Sequence, residues 1–153
     1  MNEEIGQRWV AALRSGKYQQ TQEELRRSGL PGYSTLEPSY CCLGVLCDLY
    51  LKEVGGFWIG DSVQEMDGSF ETTNLPVVVK IWADMDNDVG TLKTPIMRHD
   101  CFEHASHDEC DEEECSCPGM MEDKSLIELN DEAGYDFEQI ADVIEAQFLG
   151  GAA

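Results

Sequence analysis

Four residues recur at every third position in this sequence: Cys101, His104, His107 and Cys110. Thiolate and imidazole are the side chains that hold Zn²⁺, and this spacing is suited to turning four of them towards one tetrahedral ion. They belong to a stretch from His99 to Cys117 that holds four cysteines and three histidines within 19 residues. Ten acidic residues from Asp100 to Asp123 add long-range attraction for any cation. The spacing is not one of the standard finger patterns and has no second, distant pair, so an acidic surface loop is the competing reading. Zinc is the one cofactor the sequence suggests. Every histidine of the chain lies in this stretch, so a Cys/His or Ser/His nucleophile pair would have to be built there. The sequence has no Gly-x-Ser-x-Gly elbow, phosphate loop, dinucleotide fingerprint or His-Glu-x-x-His, and nothing in it marks an enzyme.

A second set of residues has the chemistry to hold an anion. The chain of 153 residues carries 31 acidic and 10 basic side chains, a formal charge of −21. Residues 1–27 nevertheless hold five basic residues (Arg8, Arg14, Lys17, Arg26, Arg27) against four acidic ones, a net of +1, which leaves −22 for residues 28–153. An anionic small ligand is therefore expected at the first segment, while phosphate backbones and anionic membranes are repelled by the rest. Arg14, Lys17, Tyr18, Gln20 and Arg26, with Trp58 and Asn130, supply the cations for phosphates and the aromatic faces for a base. Arg14 leads this set because it stands where a helix ends and an irregular loop begins. Against that stands the plainer expectation that Arg14, Ser15 and Tyr18 cap the helix and pin its loop against Asn130 and Asp131.

The elements that must position these groups follow from periodicity. Ile5, Trp9, Val10, Ala12 and Leu13 predict a helix from Glu3 to Arg14, with Gly16 available for a left-handed cap. A short helix is expected around Gln22 to Arg27. Leu43, Leu46, Cys47, Tyr50 and Leu51 predict the most hydrophobic helix, from Tyr40 to Val54, closed by Gly55 and Gly56. Gly44 inside it marks the close approach of a neighbouring element, and Cys41, Cys42 and Cys47 are read as small core residues. Phe57–Ile59 and Ser69–Thr73 read as short strands around a turn at Asp67-Gly68. Leu75-Pro76 opens a short helix. Leu92–Met97 and Leu126–Leu129 read as strands flanking an insertion at about 98–123. Asp136 and Gln139 form a capping box that starts a C-terminal helix from Phe137 to Leu149. The expected architecture is a single α+β domain with helices at both ends and a central hydrophobic helix on a small, mainly antiparallel sheet.

No apolar run approaches the ~20 residues that span a bilayer, and the N-terminus lacks the pattern of a secretion signal. A cytoplasmic protein with free thiols is expected, with no membrane and no generic nucleic acid among its partners. Assembly into homo-oligomers is left open.

Three blocks carry a resemblance: Trp9 to Gln20 (WVAALRSGKYQQ), Tyr40 to Leu49 (YCCLGVLCDL), and Leu129-Asn130-Asp131 with Phe137 to Glu145 (FEQIADVIE). In this order they resemble a family of small proteins encoded in bacteriophage genomes. The sequence departs from that family at Gln20-Thr21-Gln22-Glu23, where a stretch richer in Gly and Lys is usual, and in the Cys/His insertion. The resemblance implies a phage protein acting in the host cytoplasm, and phages encode small proteins that sequester nucleotide immune signals. Sequestration of a cyclic dinucleotide or a cyclic ADP-ribose type of signal is the leading expectation. The alternative is an acidic decoy that inhibits a host nucleic-acid-binding protein through charge, centred on Glu112 to Glu114.

Overall fold

The computed structural model describes residues 1–29, 37–94, 96–98, 120–122 and 124–150. The architecture is an α+β mixture with helices near both ends, as expected. Helix α1 (Glu3–Leu13) starts at Asn2, whose side chain accepts from the Ile5 N–H, and buries Ile5, Trp9, Val10 and Leu13. It packs against α2 (Cys42–Val54) and against α5 (Phe137–Ile144) with the π-helical turn that continues it (Glu145–Leu149).

Helix α2 is the centre of the core. Leu43, Val45, Leu46 and Cys47 are completely buried, and Gly55 in the left-handed region (φ 70°) ends the helix. Cys41 caps it through its sulfur, and Cys42 and Cys47 pack inside, which agrees with the core role read for all three. Trp9 ties α1 to α2 by donating its indole N–H to the Cys42 carbonyl at 2.9 Å.

Over the start of α2 lies a three-stranded sheet in the order β1 (Gln19–Gln20), β3 (Ser39–Tyr40), β2 (Arg26–Arg27). β1 runs parallel to β3, with Gln20 opposite Tyr40, and β2 runs antiparallel, with Arg26 opposite Tyr40. The helix expected over Gln22 to Arg27 is thus replaced by bends and a strand. Glu23 takes a positive φ of 70°, which no α-helix tolerates, and the Leu25 N–H and C=O bond to Thr72 and Cys41 rather than to their own turn.

The Asp67-Gly68 turn forms where it was read, joining β4 (Val63–Gln64) to β5 (Phe70–Glu71). The first strand is not Phe57–Ile59, however. Trp58 is held by its side chain to Asp48, and Ile59 makes only an isolated bridge to Ser62, so pairing begins symmetrically about the turn instead. Helix α3 (Val77–Ala83) follows Pro76 as expected. Leu126–Leu129, read as a strand, is the helix α4 (Leu126–Asp131). Ser125 and Glu128 form a full capping box that fixes its first turn. Strands β6 (Ile96–Arg98) and β7 (Met120–Glu122) pair antiparallel with Arg98 opposite Met120, which brings the two ends of the insertion together.

Candidate functional site

Most of the cations of the first segment are spent on carboxylates. Arg8 pairs with Glu53 at 2.7 Å, Arg26 with Asp61 at 3.5 Å and Arg27 with Glu24 at 3.1 Å. Arg14 reaches across from the end of α1 to the last helix. There its guanidinium bonds both oxygens of Glu145, at 3.0 and 2.8 Å, and also donates to Asp142. Those bonds hold Arg14 firmly protonated and keep the Glu145 carboxyl below the usual range. The Lys17 ammonium makes no ion pair with a described residue.

The remaining residues read from the sequence fall into two linked clusters on either side of β1. In the first, the Asp48 carboxylate of α2 accepts from the Tyr18 hydroxyl at 2.7 Å and from the Trp58 indole at 3.0 Å, and pairs with Lys52 at 2.6 Å. Burial pushes Asp48 up, but the bonds from Lys52, Trp58 and Tyr18 outweigh it and leave the carboxyl below its ordinary value. Tyr18 is shifted up by its own burial and by its bond to Asp48. Tyr40 stands edge-on to Tyr18 and tilted to Trp58, and the Arg26 guanidinium lies over the Trp58 ring at 5.6 Å. A shallow cleft of about 340 Å³ opens here, with Lys17, Tyr18, Tyr40, Asp48 and Lys52 in its walls. Its charges balance, because Asp48 and Glu37 offset the two lysines.

The second cluster centres on Asn130, at the end of α4 and only 1% exposed. Its amide oxygen accepts from the Cys42 N–H at 3.3 Å and from Gln20 at 2.9 Å, while its NH₂ donates to the Thr21 carbonyl and to Asp131. Gln20 also donates to the Tyr135 carbonyl at 2.8 Å, and Gln22 donates to the Asn130 carbonyl at 3.1 Å. Both glutamine NH₂ groups are thereby pinned, that of Gln22 to the end of α4 and that of Gln20 to α4 and to the chain that follows it. Their Oε1 atoms accept no bond from a described residue. Arg27, whose Nη2 donates to the Gln22 carbonyl at 3.3 Å, stands beside them. Together with Thr21, Glu23, Tyr135 and Asp136 these groups line an open cleft of about 520 Å³, within the size range of small-molecule sites. The Asp136 carboxylate is occupied as the cap of α5.

Of the residues singled out from the sequence, Lys17 and Tyr18 share one cleft with Trp58 and Arg26 behind it, Gln20 and Asn130 share the other, and Arg14 stands apart on the α1–α5 seam. Gln22, Arg27 and Tyr135 were missed. Gln20 and Gln22 lie two apart, the spacing that puts side chains on one face of extended chain, and reading residues 22–27 as helix concealed it. The thiols of Cys42 and Cys47 are driven well above their ordinary value by burial, and that of Cys41 is pushed up to about 12, so none of these three is a nucleophile. Cys101, His104, His107 and Cys110 lie outside the described residues, as do Glu112 to Glu114. Among the described residues no three metal-ligating side chains gather, and no helix is long and apolar enough to cross a membrane.

Over residues 1–148 the chain matches the domain of unknown function DUF8296, and it belongs to that family. No curated protein and no solved structure matches it.

Proposed function

We propose that this chain is a phage protein that binds and sequesters a small nucleotide-derived signal, and that the ligand sits in the cleft between Gln20–Arg27 and the α4–α5 connection. The observation that carries the reading is the pinned pair Gln20 and Gln22. Their NH₂ groups are held at 2.8 to 3.1 Å by Asn130 of α4 and by the Tyr135 carbonyl. Their Oε1 atoms, which accept no bond from a described residue, belong to residues that line the same cleft as Arg27, whose Nη1 likewise makes no bond to a described residue. Fixed amide acceptors read the donor edge of a base, a tyrosine ring beside them offers a stacking surface, and an arginine holds phosphate oxygens. No bond has to break in the ligand, so the groups act by binding alone.

The resemblance of the three sequence blocks supports the phage context. Arg14, first among the cations by position, is not among the residues that line this cleft: it stands on the α1–α5 seam with its donors on Glu145 and Asp142. Calorimetry with a panel of cyclic dinucleotides and cyclic ADP-ribose isomers tests the reading. A member of the panel should bind the native protein and bind Arg27→Ala more weakly.

A further inference from the structure

Helix α3 has apolar residues on all sides. Six of its seven residues, Val77-Val78-Val79-Lys80-Ile81-Trp82-Ala83, are apolar, and only Lys80 is polar. Val78, Val79 and Ala83 are buried in the core, whereas Val77 and Ile81, one turn apart, are 48% and 63% exposed. A helix apolar all round is ordinarily covered on both sides. The hairpin β4–β5 abuts the start of this helix, since the Glu65 carboxylate accepts the Val77 N–H at 2.6 Å. On that hairpin Val63 points inwards, so Phe70, opposite Gln64, points outwards at 54% exposure, and Met66 at the turn is 79% exposed.

Charge decides what can cover such a surface. Residues 60–90 carry seven acidic side chains against one lysine, Lys80. With Asp61 paired to Arg26 and Asp84 to the N-terminal ammonium, Glu65, Asp67, Glu71, Asp86 and Asp88 have no cationic partner among the described residues. A second copy of this chain would bring the same acidic segment and another −21 charge to the contact. We infer that the outer face of α3 and the β4–β5 hairpin docks a basic protein segment, one that presents apolar side chains flanked by lysine or arginine. Apolar surface with a polar rim marks such a contact, and complementary charge selects the partner and speeds its encounter.

The probe is a short amphipathic helix of leucine and lysine, compared with a peptide of the same composition in scrambled order. Fluorescence anisotropy should show the amphipathic helix binding at least about tenfold more tightly than the scrambled one. Phe70→Ser and Ile81→Ser should each remove most of that difference while the thermal midpoint stays near the native value. Should either variant unfold the protein, Met66→Ser, at the most exposed position, serves in its place. Equal binding of the two peptides, or a difference that survives the serine variants, would reduce the contact to bulk charge and overturn the inference. So would sedimentation showing a native dimer that Ile81→Ser dissociates, because the face would then belong to a second copy.

Discussion

The Leu25 carbonyl oxygen occupies the place where a side chain on residue 44 would begin: a Cβ built on Gly44 would lie 1.6 Å from it. That oxygen also accepts the Cys41 N–H, so the chain entering β2 is laid directly on the first turn of α2. In an open helix Gly→Ala stabilises by about 1 kcal/mol. Here the sign should reverse, with Gly44→Ala costing about 3 kcal/mol or more as the Leu25 backbone is forced away. A denaturant titration checks this, and a gain in stability would mean that the two segments do not meet.

Asn130 joins β1, α2 and α4 through one amide. Asn130→Ala leaves the Cys42 N–H and the Thr21 carbonyl without their partner inside the core. Each such group costs about 1 to 3 kcal/mol, so a loss of about 3 kcal/mol is expected. Because Gln20 loses one of the two bonds that hold its amide and keeps only that to the Tyr135 carbonyl, ligand binding should fall even under conditions where the variant remains folded.

Asp48 sets an acid-side dependence. Its folded-state carboxyl is shifted below the ordinary value of 3.8, so the stabilisation it gives is complete above that value and is lost as pH falls through the lower, folded value. Measured from neutral pH downwards, the stability advantage of the native chain over Asp48→Asn should stay constant until about pH 4 and then shrink. A gap that does not change with acid would show that Asp48 is not held as an anion by Lys52, Trp58 and Tyr18.

Cys41, Cys42 and Cys47 should resist alkylation in the folded protein and react only after denaturation, which peptide mapping by mass spectrometry can follow residue by residue. Burial keeps them as thiols, and the thiolate is the reactive form. Fast labelling of any of the three under native conditions would contradict the packing of α2.

The three longest helical patterns were legible because each has its own local signal: a run of apolar residues at helical spacing, closed by Gly55 after α2 and opened by Asp136 before α5. Gly44 as a point of close approach was legible for the same reason, since its cost in a helix interior demands an explanation. What failed was decided by partners distant in sequence. Arg26 and Arg27 pair with Tyr40 and Ser39, and nothing near residue 26 announces it. The helix at Leu126 is a different case, because its capping box, Ser125 with Glu128, is a local signal present in the sequence and the strand reading of Leu126–Leu129 did not use it. Gln20 and Asn130 were picked out for a ligand and do meet. Their meeting depends on α4 being a helix, and the glutamine that completes the pair, Gln22, was hidden in the supposed helix beside it.

The central claim is that the Gln20, Gln22 and Arg27 cleft holds an anionic nucleotide, and titration calorimetry of the native protein against Arg14→Ala, Arg27→Ala and Glu23→Gln tests it most directly. Loss of one charge-assisted bond to a phosphate costs about 1.5 to 3 kcal/mol, so Arg27→Ala should weaken binding roughly 10-fold to 150-fold. Arg14→Ala should leave affinity unchanged and lower only the thermal midpoint, since its bonds are to Glu145 and Asp142. Glu23→Gln, which removes a negative charge from the wall of the cleft, should tighten binding. Binding that is abolished by Arg14→Ala and indifferent to Arg27→Ala, or no binding of any member of the nucleotide panel, would contradict the account.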